Sequence, residues 1–142
     1  MEIDIKYFEK ETPRLHKISK GDWIDLYAAK DVVLKSGEQT LIPLGVAMQL
    51  PENHEAIVAP RSSSFKTWGV LQTNSIGVID NSYCGDNDEW KWSVYPTRDG
   101  IICKGDKVCQ FRIQEKMPPI YFNEVESLGN PDRGGFGSTG TR

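Results

Sequence analysis

The chain has 142 residues, 38% hydrophobic and 26% charged, enough for one domain around a single core. A formal net charge of -3 excludes a protein whose affinity comes from coating a nucleic-acid backbone, but leaves room for a basic pocket that holds a single nucleotide. Three cysteines without a CxxC spacing and two histidines far apart exclude a zinc site, and no apolar run approaches the length of a membrane span.

Residues 3–7 alternate apolar and charged side chains, as a half-buried strand does, and lack the continuous apolar core of a signal peptide, so a cytoplasmic protein is expected. Further along, apolar segments stay short and β-branched, and Gly, Pro, Asn or Asp interrupts them about every ten residues. This rhythm predicts strands over residues 31–34, 39–43, 46–50, 55–59, 70–74, 78–79, 90–95, 101–103, 107–114 and 120–124. A helical turn is expected at 61–66, capped by Ser62 and confined by Pro60 and Gly69. So many short strands must hide their edges, which fits a compact β-barrel or jelly-roll-like sandwich. Residues 128–142 hold five glycines and almost no apolar periodicity, the composition of a flexible tail.

Five segments carry polar groups where such a fold places loops or strand ends. Asp25 lies between Ile24 and Leu26, as a carboxylate facing a site or as a turn cap. Arg61, Ser62 and Ser63 follow Pro60 and offer a forked cation and hydroxyls suited to phosphate oxygens, or a capped helical turn. Gly77 to Asp86 reads as an apolar strand entering a tight turn, where Asp80 and Tyr83 can reach one pocket; an ordinary surface hairpin would look the same. From Lys107 on, alternation puts Val108, Gln110 and Arg112 on one face and Cys109, Phe111 and Ile113 on the other. Finally, Phe136 sits alone among glycines and hydroxyls, as in a lid whose amides wrap an anion while its ring stacks on a planar ligand. Trp90, Trp92 and Val94 share one strand face, which predicts packing in the core or against a neighbouring subunit.

Taken in order, Asp-Leu-x-Ala, Pro-Arg-Ser-Ser, Asn-x-x-Gly-Val-Ile-Asp-x-x-Tyr-x-Gly, Gly-Asp-x-x-x-Gln and Gly-Gly-Phe-Gly-Ser-Thr-Gly resemble the five motifs of the trimeric deoxyuridine triphosphatases, across residues 23–139. The resemblance implies a jelly-roll-like distorted β-barrel over residues 1–127 and a C-terminal lid over 128–142 that closes a neighbouring subunit's site. It implies a homotrimer with interfacial sites that hydrolyses dUTP to dUMP and pyrophosphate with Mg2+, limiting uracil in DNA and supplying dUMP for thymidylate synthesis. By similarity, Asp80 is the general base, Asn74 with the backbone of Gly77, Val78 and Ile79 reads uracil, and Tyr83 packs on the deoxyribose. Arg61, Ser62, Ser63 and Gln110 hold the triphosphate, and Asp25 reaches magnesium through water. Arg133, Phe136, Gly137, Ser138 and Thr139 close over the nucleotide.

Three positions depart from the family pattern. Arg133 stands where the lid motif is variable, so the usual lid arginine is missing, and either Arg133 reaches the γ-phosphate from a shifted backbone or another cation substitutes; Trp23-Ile24 replaces a small pair before Asp25; Ser82 replaces a second hairpin carboxylate. Deoxycytidine triphosphate deaminases look similar in fold, but they carry a catalytic Glu just after the hairpin aromatic, where this chain has Cys84. A nucleotide-gated regulatory protein would carry the same motifs, and a partner retained only in the presence of nucleotide would distinguish it.

Overall fold

Period-two alternation of apolar and polar side chains is realised as eleven strands and one short helix in the computed structural model, which describes residues 1–137. In chain order these are β1 (Asp4–Tyr7), β2 (Ile24–Tyr27), β3 (Val32–Leu34), β4 (Thr40–Pro43), β5 (Val46–Gln49), β6 (His54–Pro60), α1 (Ser64–Trp68), β7 (Val70–Gln72), β8 (Gly77–Ile79), β9 (Lys91–Pro96), β10 (Gly100–Ile102) and β11 (Lys107–Glu115). The strands form four small antiparallel sheets, ordered β1-β5, β10-β3, β4-β9-β7 and β2-β11-β6-β8. The expected all-β, jelly-roll-like barrel is the fold adopted.

Inward-facing Leu26, Ile42, Val46, Val94 and Phe111 close one core. Trp90 and Trp92 are its largest members, and Trp90 meets Phe111 edge to face, with centroids 5.2 Å apart and planes at 82°. The expected Trp90, Trp92, Val94 face is therefore core. None of the helices among the described residues is long and apolar enough to cross a membrane.

Four expectations need correction. Residues 24–27 form β2, although Asp25 disfavours a strand by propensity; pairing with β11 overrides it, and Asp25 is no turn cap. Residues 120–124 form no strand: residues 117–137 are exposed throughout, Tyr121 and Phe122 among them, so their apolar side chains find no core to pack against. A register shift between Lys107 and Cys109 breaks the alternation of β11, so Val108 and Cys109 are both buried. The helix spans Ser64–Trp68, with Ser63 rather than Ser62 at the N-cap position and no capping side-chain hydrogen bond.

Candidate active site

The cluster around Arg61 forms at the end of β6, where Pro60 gives way to Arg61. Ser64, fully buried, donates from Oγ to the Val108 carbonyl at 2.8 Å and accepts from the Arg61 backbone N–H at 3.0 Å, which pins this turn to β11. The Arg61 guanidinium then lies against Asp25, with Nε 3.0 Å from Oδ1, and donates to the Lys107 carbonyl at 3.3 Å. Lys107 Nζ stands 3.7 Å from the other Asp25 oxygen. Gln110, opposite Asp25 across the β11–β2 ladder, donates to the Pro60 carbonyl at 3.1 Å. Asp25, Arg61 and Gln110 are thus brought together, with Ser62 exposed and Ser63 half-buried on the adjoining turn. Cys109, beneath them, is buried, and burial pushes its thiol well above the usual range, with the nearby Asp25 charge adding to the shift.

The hairpin sits elsewhere. Gly77 starts β8 because a Cβ there would lie 3.1 Å from Val58 Cβ on the neighbouring strand. β8 is the last strand of its sheet, so the backbone groups of Gly77, Val78 and Ile79 that face away from β6 are free for a ligand. A cavity of about 70 Å³ opens beside them, bordered by Asn74, Gln72 and Trp92. Beyond Ile79 the chain turns: Asp80 Oδ2 accepts from the Ser82 N–H at 2.8 Å, and the Asp80 carbonyl accepts from the Tyr83 N–H at 3.0 Å. The Tyr83 hydroxyl donates to the Glu89 carbonyl at 2.9 Å, which sets the ring upright at the turn; partial burial, with help from Asp88 and Glu89, raises its hydroxyl above the ordinary value. The Gly85 N–H donates to the Asp88 carboxylate at 2.8 Å, and a Cβ at Gly85 would push that carboxylate aside.

Sequence reasoning missed Lys116. It follows β11, its backbone N–H donates to the Asn53 carbonyl at 2.8 Å, and its ammonium donates to Asp80 Oδ1 and Asn81 Oδ1, each at 2.7 Å. This ammonium, followed by the Ser82 side chain and N–H, holds the Asp80 carboxyl far below the usual carboxylate range. No local pattern marks a lysine 36 residues from its partner. Lys107 was likewise hidden; Ser64, which in sequence is one of three hydroxyls after Arg61 suited to phosphate oxygens, is instead buried and spent on backbone groups.

The two clusters do not meet within the chain. β8 runs antiparallel to β6, with Ala56 opposite Ile79, which places Asp80 beside the start of β6 and Arg61 just past its end. Six residue steps separate those levels, roughly 20 Å along an extended strand. Arg133, Phe136 and Gly137 are exposed and contribute to neither cluster; Ser138 and Thr139 lie outside the described residues. Among the described residues no three His, Cys, Asp or Glu side chains gather as a metal cage, and both Asp25 oxygens already face cations. Such a donor set fits a cation that arrives on phosphate oxygens and touches the protein through water.

A family model described as dUTPase matches residues 16–140. The SPbeta prophage-derived deoxyuridine 5'-triphosphate nucleotidohydrolase YosS of Bacillus subtilis is 58% identical over 142 residues, covering 100% of both chains. A deoxyuridine 5'-triphosphate nucleotidohydrolase of Finegoldia magna is 39% identical, with 97% of this chain and 99% of the relative aligned. Among solved structures, a Streptococcus mutans dUTPase superposes with a TM-score of 0.76 at 19% identity, covering 82% of this chain and 98% of that one. A dUTPase from Staphylococcus aureus phage phi11, whose structure describes a coordinated structural Mg(II) ion, gives 0.76 at 17% identity over 90% and 99%.

Proposed function

The chain belongs to the dUTPase family, and from that premise we propose that it hydrolyses dUTP to dUMP and pyrophosphate at sites shared between copies of itself. The observation that carries the shared site is the strand-length separation of Asp80 from Arg61: a site holding both must take them from different copies. A homotrimer supplies this, each interface joining one copy's hairpin to another's phosphate cluster. Tyr121 and Phe122, exposed in the single chain, give a neighbour apolar surface to cover. We assign residues 1–127 to the barrel and 128–142 to a lid that closes a neighbour's site.

In this reading uracil enters beside β8. The Asn74 amide offers a donor and an acceptor to the base, and free backbone groups of Gly77, Val78 and Ile79 complete its polar edge. Cytosine would leave groups there unpaired, at a cost that rejects it. The Tyr83 ring stands where a 2′-hydroxyl would project, so UTP is excluded by shape. Arg61, Ser62, Ser63 and Gln110 hold the triphosphate so that the α-phosphorus is open to in-line attack. Asp80 accepts the proton of the attacking water. Its depressed pKa keeps it ionised throughout the neutral range, and it acts mainly by orienting the nucleophile for a loose phosphoryl transfer that needs little prior deprotonation. Magnesium, approached by Asp25 through water, neutralises phosphate charge when bound. Phe136 covers the base, while Gly137 and Arg133, with Ser138 and Thr139, reach the phosphates.

The test is pyrophosphate release from dUTP, dCTP, dTTP and UTP with magnesium, beside Asp80→Asn. Release from dUTP alone, reduced roughly 10²–10⁴-fold in the variant, is expected. Ammonia release from dCTP, or dUTP binding without turnover in the wild-type chain, would overturn it.

A further inference from the structure

We propose that Gln72 is a positioning residue for base discrimination, bolting the uracil-reading turn to the barrel; the inference rests on the function proposed above. Alternation in β7 points Val70 and Gln72 inward, where an apolar residue would be the ordinary choice. A buried carboxamide is tolerated only if its donors and acceptor are paired, and here all are.

Gln72 Nε2 donates to the Val58 carbonyl on β6 at 3.0 Å and to the Ser75 carbonyl in the turn at 3.2 Å. Its Oε1 accepts from the buried Trp92 indole N–H on β9 at 2.6 Å. Because an indole N–H can only donate and carbonyls can only accept, the partners themselves fix which end of the amide is which. One side chain therefore joins β6, β7, β9 and the turn between β7 and β8.

The turn needs that anchor. Ser75 has φ 51°, a left-handed conformation that a residue bearing a Cβ adopts only when its surroundings hold it. Its neighbours Asn74 and Ile76 are exposed, so apolar packing does not fix them. Asn74 precedes the strained residue and Gly77 follows it by two positions. The Ser75 N–H also donates to the Gln72 backbone carbonyl at 3.2 Å, which closes the turn on itself; the side-chain bond is the one that ties it to β6 and β9, and so bears on where the Asn74 amide points and how close the turn stands to β8. With uracil placed beside β8, this turn borders the cavity of about 70 Å³ that also touches Gly77, Val78 and Ile79, so a shift of the turn changes the room left for a 5-methyl group on the base. Trp92 acts on the same turn from beneath, by keeping the Gln72 oxygen turned away from the turn carbonyl.

The experiment compares kcat/KM for dUTP and dTTP in wild type, Gln72→Leu and Trp92→Phe, with backbone amide exchange at residues 75–77 in nucleotide-free protein. Gln72→Leu is expected to raise the dTTP to dUTP ratio roughly tenfold or more, mostly through KM, and to speed exchange at 75–77 by a similar factor. Trp92→Phe, which keeps both donors of Gln72, is expected to move both readouts the same way by less, and it serves if Gln72→Leu does not fold. A folded variant with unchanged ratio and unchanged exchange overturns the inference. Faster exchange with an unchanged ratio overturns the discrimination role. A wild-type chain that releases no pyrophosphate from dUTP overturns the function itself and with it the discrimination role, and exchange alone then decides whether Gln72 holds the turn.

Discussion

Replacing Ser64 by Ala removes a single oxygen, yet that oxygen satisfies two backbone groups at once: it donates to the Val108 carbonyl and accepts from the Arg61 N–H. The residue is fully buried, so water cannot take its place without opening the junction between α1 and β11. Leaving the buried Val108 carbonyl and the part-buried Arg61 N–H unpaired costs about 1–3 kcal/mol each, and partial relaxation brings the sum to roughly 2–4 kcal/mol. For a chain this long, with an unfolding entropy of about 2.1 cal/mol/K per residue, that lowers Tm by roughly 7–13 °C. Urea and thermal unfolding at matched protein concentration would measure it, with Ser62→Ala, exposed on the same turn, expected within about 0.5 kcal/mol of wild type. Because the Arg61 backbone loses its anchor, KM for dUTP should rise in Ser64→Ala while kcat at saturation changes little. A Ser64→Ala protein as stable as the Ser62→Ala control would refute the claim that this hydroxyl holds the phosphate turn.

Lys116→Met releases the Asp80 carboxylate, so its pKa climbs back toward the ordinary 3.8, and the acid limb of the kcat/KM profile moves to higher pH. In wild type the folded pKa lies below the unfolded one; the associated stability is present above the unfolded value and lost as pH falls through the folded value, so Lys116→Met should flatten the acid side of the stability profile. Gly77→Ala puts a methyl 3.1 Å from Val58 Cβ and 3.4 Å from its carbonyl, and should cost about 1–3 kcal/mol in denaturant unfolding and weaken dUTP binding as β8 shifts. Mixing refolded Arg61→Ala and Asp80→Asn chains, each inactive alone, should restore about a quarter of the sites at random association, since a shared site can take its arginine and its aspartate from different intact copies. No recovery in the mixed oligomers would show that each chain builds its site unaided.

Most of the architecture was legible because burial and period two agree along the chain: Trp90, Trp92 and Val94 announced their shared face, and the structure buries all three. Asp25 was read as a possible cap because propensity is local, whereas β2 exists through the β11 edge beside it. Residues 120–124 show the converse, a segment with strand composition that stays unpaired and exposed. The bulge in β11 buries Val108 and Cys109 together, a shift of register that composition does not record. The residues nominated for the site fall into two clusters separated along β6 and an exposed tail. That division is written in strand direction and appears only once pairing is known. Lys116 was invisible for the same reason, being remote in sequence and adjacent to Asp80 only because β11 carries it past the whole length of β6.

Among the described residues β11 follows every other strand in chain order, yet it lies between β2 and β6 in the largest sheet. During synthesis those two strands emerge early with open edges, and neither can complete its ladder until the residues from Lys107 to Glu115 have left the ribosome. The barrel therefore closes late, through long-range pairing that is intrinsically slow, and its nascent form presents unpaired edges to chaperones and to other copies. The Arg61 turn and the hairpin both lean on this late segment, through the Val108 carbonyl and the Lys116 ammonium, so neither is held before it has folded into place.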